Sequence, residues 1–127
     1  MISFEEVEEI HKILINDFGG SQGIRDKEAL SSALARPYQT FDSKELYSTP
    51  INKAASLIES ILINHPFVDG NKRTGYVLMR ILLINNGMDI NASLEEKYNF
   101  VIGIASGESK FDKIVMWLDA HTVKNSG

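Results

Sequence analysis

Residues 49–87 read TPINKAASLIESILINHPFVDGNKRTGYVLMRILLINNG, and the fold is decided there. Thr49 followed by Pro50 is a helix start, a hydroxyl able to cap and a proline whose fixed φ suits the first turn. Ile51, Ala54, Ala55, Ile58, Ile61 and Leu62 then recur at helical spacing. Pro66 ends that helix at His65, because a proline disfavours helical geometry in the residue before it. A second helix resumes after Asp69-Gly70, with Val77, Leu78, Met79, Ile81, Leu82, Leu83 and Ile84 apolar nearly all round, and stops at Asn85-Asn86-Gly87. A helix that is apolar on all sides is buried, so this one, starting near residue 70, is expected to be the central element.

Toward the amino terminus, Ser3 with Glu6 forms a capping-box pattern, and Phe4, Val7, Ile10, Ile13, Leu14 and Phe18 recur at helical spacing before Gly19-Gly20. A helix over 3–18 follows. Asp26 caps a short second helix through Ala29, Leu30, Ala33 and Leu34 that stops before Pro37. Pro37 to Ser48 has no clear period and reads as an ordered loop or a small hairpin. Toward the carboxyl terminus, Ser93 with Glu96 repeats the capping box and starts a helix through Tyr98, Val101, Ile102 and Ala105 to Gly107. Ser109 is expected to cap a last helix through Ile114, Val115, Trp117 and Leu118, and the polar stretch from Thr122 to Gly127 is expected to fray. The fold class is therefore all-α, a compact helical bundle forming a single domain over residues 1–127.

Composition agrees with one domain: 127 residues leave no room for a second core. Thirteen Lys plus Arg against 17 Asp plus Glu give a net charge of −4 with no basic block, which removes the electrostatic footprint of a nucleic-acid binder. With no cysteine, disulfides, thiolate metal sites and cysteine nucleophiles are excluded. No uncharged run approaches the ~20 residues of a membrane span, and the acidic amino terminus has no signal-peptide pattern. A soluble cytoplasmic protein that uses neither membrane nor nucleic acid is the expectation.

The chemistry concentrates between the two central helices, in His65-Pro66-Phe67-Val68-Asp69-Gly70-Asn71-Lys72-Arg73-Thr74. A loop entering a helix presents unpaired backbone N–H groups and the positive end of the helix dipole, and Gly70 lets an anion approach the backbone, so a phosphate fits. Asp69 is suited to Mg²⁺, which binds through one or two carboxylates plus substrate phosphates. Lys72 and Arg73 add charge, and Arg73 a fork that matches phosphate oxygens. His65, at the end of the preceding helix, has the side-chain type best suited to general-base work near neutral pH. Singly, each residue also has a plainer reading: Asp69 as a helix cap, His65 as a helix-end residue, Lys72 and Arg73 as a solvated face. Together they are harder to explain that way, because two cations in a first helical turn oppose the dipole by a few tenths to about 1 kcal/mol. An anion removes the conflict.

At these residues the sequence resembles the Fic/Doc family, whose pattern is His-Pro-Phe, a variable residue, Asp or Glu, Gly-Asn-Gly, Arg, two variable residues and a second Arg. His65, Pro66, Phe67, Asp69, Gly70, Asn71 and Arg73 match. Lys72 stands where most of the family has the second glycine and Tyr76 where the second arginine is expected, departures typical of the Doc (death on curing) toxin branch. Gly19-Gly20-Ser21, Gly23-Ile24-Arg25-Asp26, Ala33-Leu34-Ala35-Arg36-Pro37 and Gln39-Thr40-Phe41 extend the resemblance, from about residue 3 to 120.

The resemblance implies a helical fold and an ATP- and Mg²⁺-dependent transferase. His65 would take the proton from a target hydroxyl, Asp69 would place Mg²⁺, Gly70 and Asn71 would form the anion nest, Lys72 and Arg73 would meet the phosphates, and Phe67 would belong to the core. Pro37 to Ser48 would act as a flap, with Tyr38 and Phe41 touching target or base, or forming a satellite core cluster. Doc-like members transfer the γ-phosphoryl group, with elongation factor Tu as the substrate class and translation as the casualty. The alternatives are adenylylation of a target hydroxyl, as in the glycine-type members, and a non-catalytic nucleotide-binding module. No Ser or Thr is followed four positions on by Glu, the self-inhibitory pattern of the family, so inhibition in trans by a separate antitoxin is expected.

Overall fold

Helices carry the chain in the computed structural model, which describes residues 1–125. They are α1 Phe4–Phe18, α2 Lys27–Ala35, α3 Pro50–Asn64, α4 Asn71–Ile84, α5 Leu94–Ala105 and α6 Phe111–His121. Short strands accompany them: β1 Thr40–Phe41 pairs with β2 Lys44–Glu45, and β3 Met88–Ile90 with β4 Thr122–Lys124, both antiparallel. The architecture is mostly α, as the periodicity predicts.

Helix starts follow the local chemistry. Ser3 Oγ accepts from the Glu6 amide at 3.2 Å while Glu6 Oε1 accepts from the Ser3 amide at 3.1 Å, and Ser93 with Glu96 repeats the arrangement. Asp26 and Thr49 cap α2 and α3 through the amides of Ala29 and Asn52. Such caps contribute about 1 kcal/mol each. Ser109 does not cap α6, contrary to expectation. Its amide is turned back to the Gly103 carbonyl at 2.9 Å, so Lys110 takes the cap position without a side-chain bond.

The buried centre is a pair of helices. α3 packs against α2, α4, α5 and α6, and α4 faces it with Thr74, Gly75, Leu78, Met79, Leu82 and Leu83. The two approach closely at Gly75: a Cβ there would lie 2.4 Å from Leu62 Cδ1 and 3.1 Å from Ile61 Cγ2. The buried stripe of α1 is Val7, His11 and Ile15, whereas Ile13 and Phe18, apolar and in helical register, lie exposed. The expected frayed tail is also corrected. Thr122–Lys124 pairs with β3, and the Asn125 amide donates to the Gly87 carbonyl at 2.8 Å, tying residues 122–125 to the turn after α4. Ser126 and Gly127, the rest of that predicted tail, lie outside the described residues.

Candidate active site

The joint between α3 and α4 is built by two neighbours, the α1–α2 connection and α1 itself. α3 ends at His65, which takes φ 49° and ψ 59°, the left-handed geometry that satisfies a helix end and that glycine usually supplies. Arg25 compensates a non-glycine there: its Nη2 donates to the Asn64 carbonyl at 2.7 Å and its Nε to the His65 carbonyl at 2.8 Å, two acceptors orphaned by the helix end. The connection then runs beside the loop as a strand would. The Arg25 and Asp26 amides donate to the Pro66 carbonyl at 2.7 and 3.0 Å, and the Val68 amide to the Gly23 carbonyl at 3.0 Å.

Inside the loop, the Asn71 carboxamide clasps one residue on both sides. Its Oδ1 accepts from the Phe67 amide and its Nδ2 donates to the Phe67 carbonyl, each at 3.0 Å. Phe67 is thereby driven into the core, 1 % exposed, as the resemblance implied. The side chain of Asn71 is thus committed to shaping the loop, and what it can offer a ligand is its backbone N–H at the first turn of α4.

Gly70 starts α4 with φ 75°, a conformation side chains rarely adopt, and a Cβ would come within 2.9 Å of Ile15 Cδ1. Asp69 does not act as a conventional cap. Its Oδ1 accepts from the adjacent Gly70 amide at 2.8 Å and its Oδ2 from the Ser21 amide at 3.1 Å, so no side chain caps the amides of the first turn. The Gly70 and Ser21 amides, aided by His11 and Arg73, hold the Asp69 carboxyl below its ordinary range. It is an exposed, ionised carboxylate beside a bare helix entrance.

His65, Asp69, Gly70, Asn71, Lys72 and Arg73 line one open cleft of about 330 Å³, so the structure brings every predicted site residue to a single place. The Arg73 guanidinium lies 4.5 Å above the Phe18 ring at the end of α1. Among the described residues no three His, Asp or Glu converge, and the carboxylate lining this cleft is that of Asp69. A single carboxylate would fit Mg²⁺, which usually binds through one or two carboxylates plus substrate phosphates. Tyr76 lies outside this cleft's lining. It is half-buried with its hydroxyl unpartnered, in an apolar groove with Leu94, Tyr98 and Ile102, and burial raises its phenol. The hairpin β1–β2 leaves Phe41 75 % exposed, so it is no satellite of the core.

His11, Phe18, Ser21 and Arg25 escape a reading confined to the joint. One signal existed for His11: it stands in register with Val7 and Ile15, a polar ring in a buried stripe. The contacts of Ser21 and Arg25 are set by backbone path, which no spacing reveals.

Compared with known proteins, residues 1–83 match the model of the Fic/DOC family. The chain is also similar to a protein named Toxin Doc from Mycolicibacterium smegmatis (strain ATCC 700084 / mc(2)155), 38 % identical over 78 residues, which is 61 % of this chain and 60 % of that relative. The match thus spans less than two thirds of the relative's length, and it ends before α5 and α6 in the family model.

Proposed function

The chain belongs to the Fic/DOC family, and from that premise we propose that it is a Doc-type toxin, a protein kinase moving the γ-phosphoryl group of ATP onto a hydroxyl of a translation factor of the elongation factor Tu class. The observation that carries the reading is the uncapped entrance of α4, with Asp69, Lys72, Arg73 and His65 around it. Cations in a first helical turn are unfavourable without an anion, and polyphosphate supplies one.

In this reading each residue of the cleft has a role. The α4 amides and Arg73 hold phosphate oxygens, with Arg73 steadied from behind by Phe18. Asp69 would hold Mg²⁺, which neutralises phosphate charge when bound. His65 takes the proton of the target hydroxyl as that oxygen forms its bond to the γ-phosphorus and the bond to the ADP oxygen breaks. Lys72 provides one compact charge for a single terminal phosphate. The protein would act in the cytoplasm, where ATP and its target meet, and be restrained by a separate antitoxin. No helix among the described residues is long and apolar enough to cross a membrane.

The test is purified chain with Mg²⁺, elongation factor Tu and ATP labelled at the α or the γ position. Label from γ alone on Ser or Thr is the expected result. Label from α alone would replace the kinase with an adenylyltransferase, and nucleotide binding without transfer would leave a binding module.

A further inference from the structure

His11 is 2 % exposed in the middle of α1, with Val7 and Ile15 on the same buried stripe. Its ring lies parallel to Phe67, 4.1 Å between centroids and 7° between planes, and its Nε2 is 2.8 Å from the Asp69 carbonyl oxygen. A carbonyl only accepts, so Nε2 carries the proton. Packing alone asks merely for an apolar side chain at this point of the stripe; the N–H is a separate provision.

We propose that His11 is a positioning residue, whose ring N–H fixes the Asp69–Gly70 peptide plane in the orientation that presents the Asp69 carboxylate and the α4 amides to the same guest. Gly70 tolerates φ of either sign, so a half-turn of the peptide meets little local resistance. Turning it would swing the Gly70 amide away from Asp69 Oδ1, release one of the two bonds that orient the carboxylate, and point a carbonyl at the entrance where an anion must lie. His11 prevents this by gripping the carbonyl end, while the Phe67 stack and the surrounding core fix the ring itself. The guest's identity, a Mg²⁺-nucleotide, rests on the proposed function; the hold on the peptide does not.

Two substitutions separate the donor from the ring. His11→Phe keeps a ring on Phe67 and loses the donor; His11→Gln keeps a donor at similar reach and loses the ring. The readouts are amide hydrogen exchange at Gly70 in the free chain, and calorimetric binding of a non-hydrolysable ATP analogue with and without Mg²⁺. His11→Phe is expected to speed Gly70 exchange about tenfold or more and to weaken binding about tenfold or more with Mg²⁺ and by a smaller factor without it, where the turned carbonyl still faces the phosphates. His11→Gln is expected to restore both within about threefold. A merely structural histidine predicts the reverse order, with Phe the milder change. Unaltered Gly70 exchange in His11→Phe, or Gln worse than Phe in Mg²⁺-dependent binding, overturns the proposal. Should His11→Phe not fold, His11→Gln decides alone: wild-type exchange and Mg²⁺ dependence sustain the role and their loss overturns it. A wild-type chain that shows this dependence yet moves no γ-phosphoryl group would overturn the kinase reading and leave His11 in its place.

Discussion

Arg25 reaches across from the α1–α2 connection to the far end of α3 and donates to the main-chain carbonyl of His65 at 2.8 Å, at the residue where the helix turns left-handed. The contact separates two demands on His65, since its backbone ends a helix while its side chain faces the cleft. A glycine would end the helix with less strain but supply no base.

Arg25→Ala is therefore expected to act on both stability and transfer. Two helix-end carbonyls lose a charged donor, a loss of about 1–2 kcal/mol for exposed groups that water partly re-satisfies. The His65 ring loses its fixed anchor, and transfer should fall about tenfold, since misplacing a reacting group by a fraction of a bond length is costly. Thermal melting and a transfer assay read the two effects. Arg25→Lys should recover little, because one ammonium does not reach both carbonyls as the guanidinium fork does.

His65 and Asp69 are expected to fail differently. His65→Ala should remove about 10²- to 10⁴-fold of transfer and leave nucleotide binding nearly intact, because a general base acts on the hydroxyl and not on the phosphates. Asp69→Ala should also weaken Mg²⁺-dependent binding. Calorimetry showing equal losses of binding in both variants would contradict the separation.

What the sequence discloses and what it hides divide along a physical line. Thr49-Pro50, Ser3 with Glu6 and Ser93 with Glu96 act within a few residues, so the element starts they mark are legible. The joint at His65–Arg73 is legible for the same reason, as its chemistry is contiguous. Arg25 on His65, His11 on Asp69 and β4 on β3 join residues tens of positions apart, and local pattern carries no trace of them. The polar Thr122–Lys124 reads as a tail because the backbone bonds that order it belong to another strand. The plainer reading of Asp69 as a helix cap fails because its oxygens go to the adjacent Gly70 amide and to the distant Ser21 amide.

Acid should destabilise the fold through identifiable carboxylates. Glu6, Asp69, Asp89 and Glu96 all sit below their ordinary values: the first and last through the Ser3 and Ser93 amides of their capping boxes, Asp69 through Gly70 and Ser21, and Asp89 through the Arg80 guanidinium at 2.8 and 2.9 Å. A depressed folded-state pKa contributes stability that is whole above the unfolded value, about 4, and is lost as pH falls through the folded one. The melting temperature is expected to drop as pH falls below about 4. Asp89→Asn should start lower at neutral pH and lose less on acidification, and an unchanged acid slope in that variant would contradict the assignment.

In the proposed function Lys72 selects which end of the nucleotide reacts, and two ways of doing so can be told apart by substitution. It stands in the uncapped first turn of α4, exposed at the cleft, so a substitution there disturbs no core. Its side chain either fills the space a second phosphate would need or supplies the charge that a terminal phosphate seeks. Lys72→Gly removes both and should cut transfer of γ-label about tenfold or more while allowing α-label to appear. Lys72→Met keeps the bulk and removes the charge. If space forbids the reversed orientation, Lys72→Met loses γ-transfer and gains no α-transfer, which is the expected result. If charge alone selects, Met and Gly behave alike. Tyr76→Arg is not the informative partner for this test, because it would place a second guanidinium in a half-buried position already within the field of Arg80. Tyr76 is taken into the packing between α4 and its neighbours, and placing a charge there would cost the fold before it could reorient a nucleotide.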